Sequence, residues 1–157
     1  MSVNAADLVV RKSLHVAAPV ERAWAVFTGR LSEWWPVRSH SIAEERVQEV
    51  VLEGRPGGRM YERTVDGEEG YWGTVVAWEP PRRLVVSWHV NPGRPAPTEW
   101  EVRFEPEGEG TRVEFEHRGF ERYEDAAGAA AGYTKGWDVV LGHFTEAVGR
   151  RRPSPGH

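Results

Sequence analysis

Residues 132–148 read GYTKGWDVVLGHFTEAV, and this stretch decides the fold. Its apolar residues recur three or four positions apart, which is the spacing of one helical stripe: Tyr133, Trp137, Val140, Leu141, Phe144 and Val148. Such a stripe forms when an α-helix packs on an apolar surface and leaves its other side to water. The sequence therefore predicts one long amphipathic helix, from about residue 128 to residue 148, which needs a partner elsewhere in the chain.

That partner is predicted to be a β-sheet. The chain before residue 118 alternates apolar and polar residues in short segments, most clearly at 84–90, 98–104 and 111–117. A period of two indicates strands with one dry and one wet face, and short turns between them indicate antiparallel neighbours. We expect six to seven strands in an α+β fold, with the sheet wrapped around the C-terminal helix.

Two short helices are predicted to follow the first strand. The strand covers residues 8–16, and the helices cover 19–28 and 31–35. Proline at position 19 is tolerated in a first helical turn, and Pro36 disfavours helix at the residue before it. A turn is expected at 106–110.

Composition limits the classes of function. The chain has 157 residues, no cysteine and a net charge of -4. This length predicts one domain, over residues 8–148, with flexible ends at 1–7 and 149–157. The charge argues against nucleic acid as a partner, and no apolar run is long enough to insert into a membrane. We expect a cytoplasmic protein without disulfides or thiolate metal sites.

Local motifs follow one another through residues 9–148 in a consistent order. They are APVERAW (18–24), WWP (34–36), PGGRMYER (56–63), WG (72–73), WEPPRRL (78–84), GTRV (110–113), HRGF (117–120) and GW (136–137). In this order the chain resembles the START / SRPBCC helix-grip superfamily, and within it the branch related to the activator of heat-shock protein 90 ATPase. The resemblance implies a deep apolar cavity between sheet and long helix, which members use for lipids, polyketides, hormones or unknown small molecules.

The chain is unusually rich in tryptophan, with eight residues. Those in the apolar phases of their elements are expected to converge, either filling the core or lining a cavity for a flat or apolar ligand. The predicted ligand-binding set is Trp35, Tyr61, Trp72, Trp88, Trp100, His117, Tyr133 and Trp137.

Two titratable residues are weak candidates for catalysis. His117 shares its strand phase with Val113 and Phe115, so a neutral imidazole could face the helix and bond a ligand carbonyl or act as a general base. The alternative is a buried histidine with partners inside the protein. Glu62 could serve as an acid or base in a cavity, or pair with an arginine on a solvated face. The six histidines show no metal-ligand spacing, so neither a metal nor a cofactor is expected.

Three functions remain open from the sequence. The first is a binding module for a small hydrophobic or aromatic ligand. The second, a class that the resembled superfamily also contains, is an enzyme of the cyclase, aromatase or dehydratase kind, with His117 or Glu62 as acid or base. The third, which the resemblance alone implies, is a cofactor that activates a chaperone ATPase. A homodimer is also possible.

Overall fold

The computed structural model describes residues 9–37, 40–41, 43–89, 98–120 and 125–149. The elements are, in chain order, β1 (Val10–Val16), α1 (Val20–Gly29), α2 (Leu31–Trp34), a 3-10 turn (Glu44–Arg46), β2 (Val47–Leu52), β3 (Arg59–Thr64), β4 (Glu69–Glu79), β5 (Arg83–Trp88), β6 (Thr98–Glu107), β7 (Gly110–Arg118) and α3 (Ala126–Gly149). The predicted flexible ends at 1–7 and 149–157 lie outside the described residues, except for Gly149, which ends α3.

The seven strands form one sheet in the order β1-β7-β6-β5-β4-β3-β2. Every neighbouring pair is antiparallel. Strands β2 to β7 are a meander, and β1 joins the far edge by pairing with β7. The antiparallel sheet, the two short helices after the first strand and the long C-terminal helix confirm the predicted α+β architecture.

One face of this sheet supplies the apolar surface that the helix needs. On β6 and β7 the inward residues lie directly opposite each other, as Trp100 does to His117 and Val102 to Phe115. All four are buried. The alternate positions of these strands carry arginines and glutamates on the outer face, as the period of two predicts.

Helix α3 covers that face and begins two residues earlier than predicted. Asp125 precedes its first residue, and the Asp125 Oδ1 atom accepts a hydrogen bond of 3.1 Å from the Gly128 backbone N–H. An aspartate in this position satisfies one of the N–H groups that a helix start leaves without a partner. The buried stripe consists of Ala130, Trp137, Val140, Leu141, Phe144, Ala147 and Val148, with Tyr133 half-buried beside it.

Two details of the sheet differ from expectation. Strand β6 continues to Glu107, which pairs with Gly110, so the predicted turn at 106–110 shortens to two residues. Gly108 has φ of 62°, a left-handed conformation that glycine adopts without strain in tight hairpins. The pairing register of β4 shifts twice: at Trp72, opposite Met60 and Tyr61 of β3, and at Val76, in the pairing with β5. The inward positions of β4 therefore do not follow simple alternation.

Deleting the Phe144 ring should show that α3 is held by its buried stripe. Phe144 is fully buried, with its ring centroid 5.1 Å from that of Phe27 and 5.4 Å from that of Trp34. We expect Phe144→Ala to lower the free energy of unfolding by about 3–5 kcal/mol, since a large cavity would remain. Urea denaturation followed by circular dichroism measures it. The control is Val139→Ala on the exposed side of α3, with an expected change below about 0.5 kcal/mol; equal losses would contradict the packing.

Candidate functional site

A cavity of about 120 Å³ lies between the sheet and α3, partly open to solvent. Its walls come from the segment after α2, from β5 and from α3. The lining residues are Trp35, His40, Trp88, Tyr133, Gly136, Trp137 and Val140. The surface is almost wholly apolar, and four of the predicted ligand-binding residues are part of it.

Five tryptophans form a continuous cluster at the base of this cavity. The Trp88 ring is the centre of the cluster, with ring centroids 5.8 to 6.3 Å from those of Trp35, Trp72, Trp100 and Trp137. Two of these four pairs are edge-to-face and two are tilted, and none is the face-to-face sandwich that aromatic quadrupoles disfavour. The cluster therefore combines the two alternatives left open by the sequence. Trp72 and Trp100 are fully buried in the core, and Trp35, Trp88 and Trp137 border a small cavity.

His117 lies beside the aromatic cluster, and both of its ring nitrogens form hydrogen bonds inside the protein. It is fully buried, its Nδ1 atom accepts a 2.9 Å hydrogen bond from the Trp137 indole N–H, and its Nε2 atom lies 2.7 Å from Thr98 Oγ1. An indole nitrogen can only donate, so Nδ1 carries no proton. The proton of the neutral ring is therefore on Nε2, which donates to the Thr98 hydroxyl.

Burial also sets the charge of His117. Desolvation, with a smaller contribution from the nearby Arg118 guanidinium, lowers its pKa to about 3. The imidazole is neutral across the physiological range. Before it could take a proton from a substrate, it would have to break one of its two internal hydrogen bonds.

Glu62 is likewise held inside the protein. It is 1% exposed, and its Oε1 atom accepts a 2.7 Å hydrogen bond from the Trp72 indole N–H. Its Oε2 atom accepts another of 2.7 Å from the Ala43 backbone N–H. The carboxylate thus joins the segment before β2 to the aromatic cluster, and it is not among the residues that line the cavity.

Tyr61, which the sequence predicted to bind a ligand, is not among the residues that line the cavity. It lies on the opposite face of β3 from Glu62, where the Arg59 guanidinium is 4.5 Å from its ring centroid and Arg63 donates to its hydroxyl at 3.0 Å. The strand alternation that turns Met60 and Glu62 inward turns Tyr61 outward. Tyr61 therefore belongs to an ion-pair and cation–π cluster on the outer sheet face.

Three lining residues were not proposed from the sequence: His40, Gly136 and Val140. Val140 lies one turn after both Gly136 and Trp137 on α3, so the three residues share the side that faces the cavity. His40 is fixed by its backbone carbonyl, which accepts a 2.7 Å hydrogen bond from the Trp35 indole. Burial, together with the nearby His143, lowers the His40 pKa. Gly136, a residue without a side chain beside the apolar stripe, is the sequence signal that could have indicated open space there.

Two further classes of feature are absent from the part of the chain that the structure describes. In those ranges no three His, Asp or Glu side chains are grouped to hold a metal ion. None of the helices there is both long and apolar enough to cross a membrane.

The curved antiparallel sheet, its long helix and the aromatic cavity between them define a helix-grip-like α+β protein. The family model of the Activator of Hsp90 ATPase homolog 1-like protein matches residues 17–149. The chain therefore belongs to this family, as the resemblance implied. No curated protein matches the chain significantly.

Solved structures of similar proteins agree with this assignment. An anthrahydroquino-γ-pyrone synthase is 36% identical, with a TM-score of 0.61 over 88% of this chain and 96% of that chain. The self-sacrificing resistance protein CalC from Micromonospora echinospora is 31% identical, with a TM-score of 0.68 over 90% and 94%. A protein from Mesorhizobium loti shares the fold at 19% identity, with a TM-score of 0.68 over 92% and 99%.

The depressed pKa of His117 predicts a pH-dependent stability. The unfolded chain takes up a proton near pH 6.5 and the folded chain does not until about pH 3, so stability is full above pH 6.5 and falls as the pH drops below it. We expect the free energy of unfolding, measured with urea, to fall by up to about 1.4 kcal/mol for each pH unit because of this residue.

The matched variants are His117→Gln and His89→Gln, the second on an exposed histidine of the outer face. His117→Gln should be less stable at pH 7.5 by about 1–3 kcal/mol, because the Trp137 donor loses its acceptor, and should have a shallower pH dependence. His89→Gln should keep the wild-type pH dependence. A wild-type His117 ring whose NMR signals titrate near pH 6.5 would contradict the buried neutral state.

Proposed function

We propose that this protein binds a small hydrophobic or aromatic molecule in the cavity between the sheet and α3. The observation that carries the proposal is the cavity itself, about 120 Å³ of apolar space bordered by three indole rings. Concave apolar sites with a few polar groups are the usual form of small-molecule sites. The predicted residues in its wall are Trp35, Trp88, Tyr133 and Trp137, while Trp72, Trp100 and His117 support that wall from behind.

An enzyme is the second candidate function. The observation in its favour is the 36% identity to an anthrahydroquino-γ-pyrone synthase, together with Tyr133 at the cavity wall. Against acid or base roles for His117 and Glu62 stand their internal hydrogen bonds to Trp137 and Trp72. Ligand binding without these two residues as catalysts is therefore the function that the geometry supports better.

A chaperone-activating role is supported by the family description alone. Fold and family membership do not determine a partner surface. A pull-down with the cognate heat-shock chaperone, followed by an ATPase assay, tests that alternative independently of the cavity.

Filling the cavity from α3 should weaken binding. Val140 lines the cavity, whereas the neighbouring Val139 is 44% exposed on the same helix. We expect toluene to shift the indole ¹H–¹⁵N signals of the wild-type protein, and Val140→Phe to weaken that binding at least about tenfold because the added ring occupies the space. The measurement is an NMR titration, with folding checked by circular dichroism.

Val139→Phe is the control, since it adds the same ring outside the cavity and should bind toluene as the wild type does. Two results would count against the proposal: no indole shift in the wild-type protein at saturating toluene, or equal binding by Val140→Phe and Val139→Phe.

A further inference from the structure

His40 is the cavity residue whose charge can change near neutral pH. Of the described residues that line the cavity, only His40 has a side chain that ordinarily gains or loses a charge between about pH 5 and pH 8. The rest of the wall is almost wholly apolar, with three indole rings, Val140 and Gly136. A proton taken up by His40 would therefore place a full charge in an apolar surface.

The backbone of His40 is fixed, so its imidazole has a defined place in the wall. The His40 carbonyl accepts a hydrogen bond of 2.7 Å from the Trp35 indole, and the His40 N–H donates to the Pro36 carbonyl at 2.9 Å. A Cβ atom added at Gly136 would lie 3.8 Å from His40 Cδ2 and 3.9 Å from His40 Nε2. One edge of the ring, which includes a nitrogen that can carry a proton, thus faces α3 at a position without a side chain.

The surroundings of His40 disfavour its charged form. Burial, and after it the nearby His143 of α3, lower the pKa of His40. The other titratable groups on the neighbouring elements are Tyr133 of α3, which lines the same cavity, and Glu62 of β3, which accepts hydrogen bonds inside the protein. Strand β5 contributes Trp88, which does not titrate. The imidazole is therefore neutral at pH 7 and gains its charge only in more acidic solution.

A ligand in the cavity makes this charge still less favourable. An apolar ligand replaces water beside the imidazole, and a cation loses more from that exchange than a neutral ring does. A ligand that lowers the pKa of His40 is itself bound less tightly once His40 is protonated, and by the same factor, because the two equilibria are linked. Affinity is therefore full above the pKa of His40 in the ligand-free protein and falls as the pH drops below it.

We propose that the charge of His40 controls occupancy of the cavity: an apolar ligand is held while the imidazole is neutral and is released when the imidazole takes up a proton. The inference rests on the proposed binding function and adds to it the regulation of the site. The proton acts at the cavity wall itself, so release requires no change of fold.

Xenon is the probe for this coupling, because it is a single uncharged atom that enters apolar cavities and has no proton of its own to exchange. The measurement is an NMR titration of the indole ¹H–¹⁵N signals with xenon between pH 8 and pH 5, with folding checked by circular dichroism at each pH. We expect the affinity of the wild-type protein for xenon to be about three- to tenfold lower at pH 5 than at pH 8. The half-buried position of His40 places the effect at the lower end of the usual range for linked sites.

Three histidine variants assign the effect to one residue. His40→Gln keeps a neutral polar side chain and removes the titration, so its affinity for xenon should be the same at pH 5 and pH 8. His143→Gln should keep the fall in affinity but shift it to higher pH, because a group that lowers the pKa of His40 is gone. His89→Gln, on an exposed histidine of the outer face, is the control and should behave as the wild type does.

The wild-type protein alone gives a second readout. The carbon-bound proton signals of the His40 imidazole, found by sequential assignment, report its protonation as the pH is changed. They should titrate at a lower pH in the presence of xenon than in its absence, which is the reciprocal of the effect on affinity.

The outcomes separate this inference from the function on which it rests. If xenon moves no indole signal at any pH, the binding function itself fails and this inference with it. If xenon binds equally at pH 8 and pH 5 and leaves the titration of His40 unchanged, the cavity binds apolar ligands but His40 does not control it. A fall in affinity that persists in His40→Gln would overturn the inference by assigning the pH dependence to another group.

Discussion

The hydrogen bond from the Trp137 indole to the His117 imidazole is the constraint on which the arrangement of sheet and helix depends. It joins α3 to β7, and the proton on the other ring nitrogen joins β7 to Thr98 at the start of β6. The bond requires an unprotonated Nδ1, which burial secures by lowering the pKa of His117. With Trp137 fixed, the rotation of α3 is fixed, because residues three and four positions away share its face. Tyr133 and Val140 are thereby turned to the cavity.

The hydrogen-bond donors of buried tryptophans also explain the polar residues of the interior. Indoles bring large apolar surfaces into the core together with one obligatory donor each. Trp72 finds its acceptor in Glu62 and Trp137 finds its acceptor in His117. The two residues that looked most like acid–base catalysts are thus acceptors for buried tryptophans. Among the tryptophans of the cavity wall, only Trp88 has no hydrogen-bond acceptor for its N–H within the described residues.

Sequence patterns predicted the parts of the fold that depend on regular periods. The inward phase of β6 and β7 was correct because no register shift interrupts their pairing. In β4 two bulges, at Trp72 and at Val76, break the alternation, and only the first has a glycine, Gly73, beside it. The partners of His117 are 19 and 20 positions away along the chain, so their identity depends on how separate segments meet. The volume of the cavity depends on packing from three such segments and could not be read from any one of them.

The small residues of α3 determine the size of the cavity more than the tryptophans do. The indoles are held by mutual ring contacts, and those of Trp35 and Trp137 also by hydrogen bonds, whereas Gly136 and Val140 leave the open volume. A Cβ atom added at Gly136 would lie 3.8 Å from the His40 ring, an ordinary contact distance, so even alanine would reach the opposite wall. In this protein, one or two positions on the helix therefore set how much space is left, while the sheet and the aromatic cluster stay the same. This is the physical reason why membership of the family establishes the fold and leaves the ligand to be determined from the site.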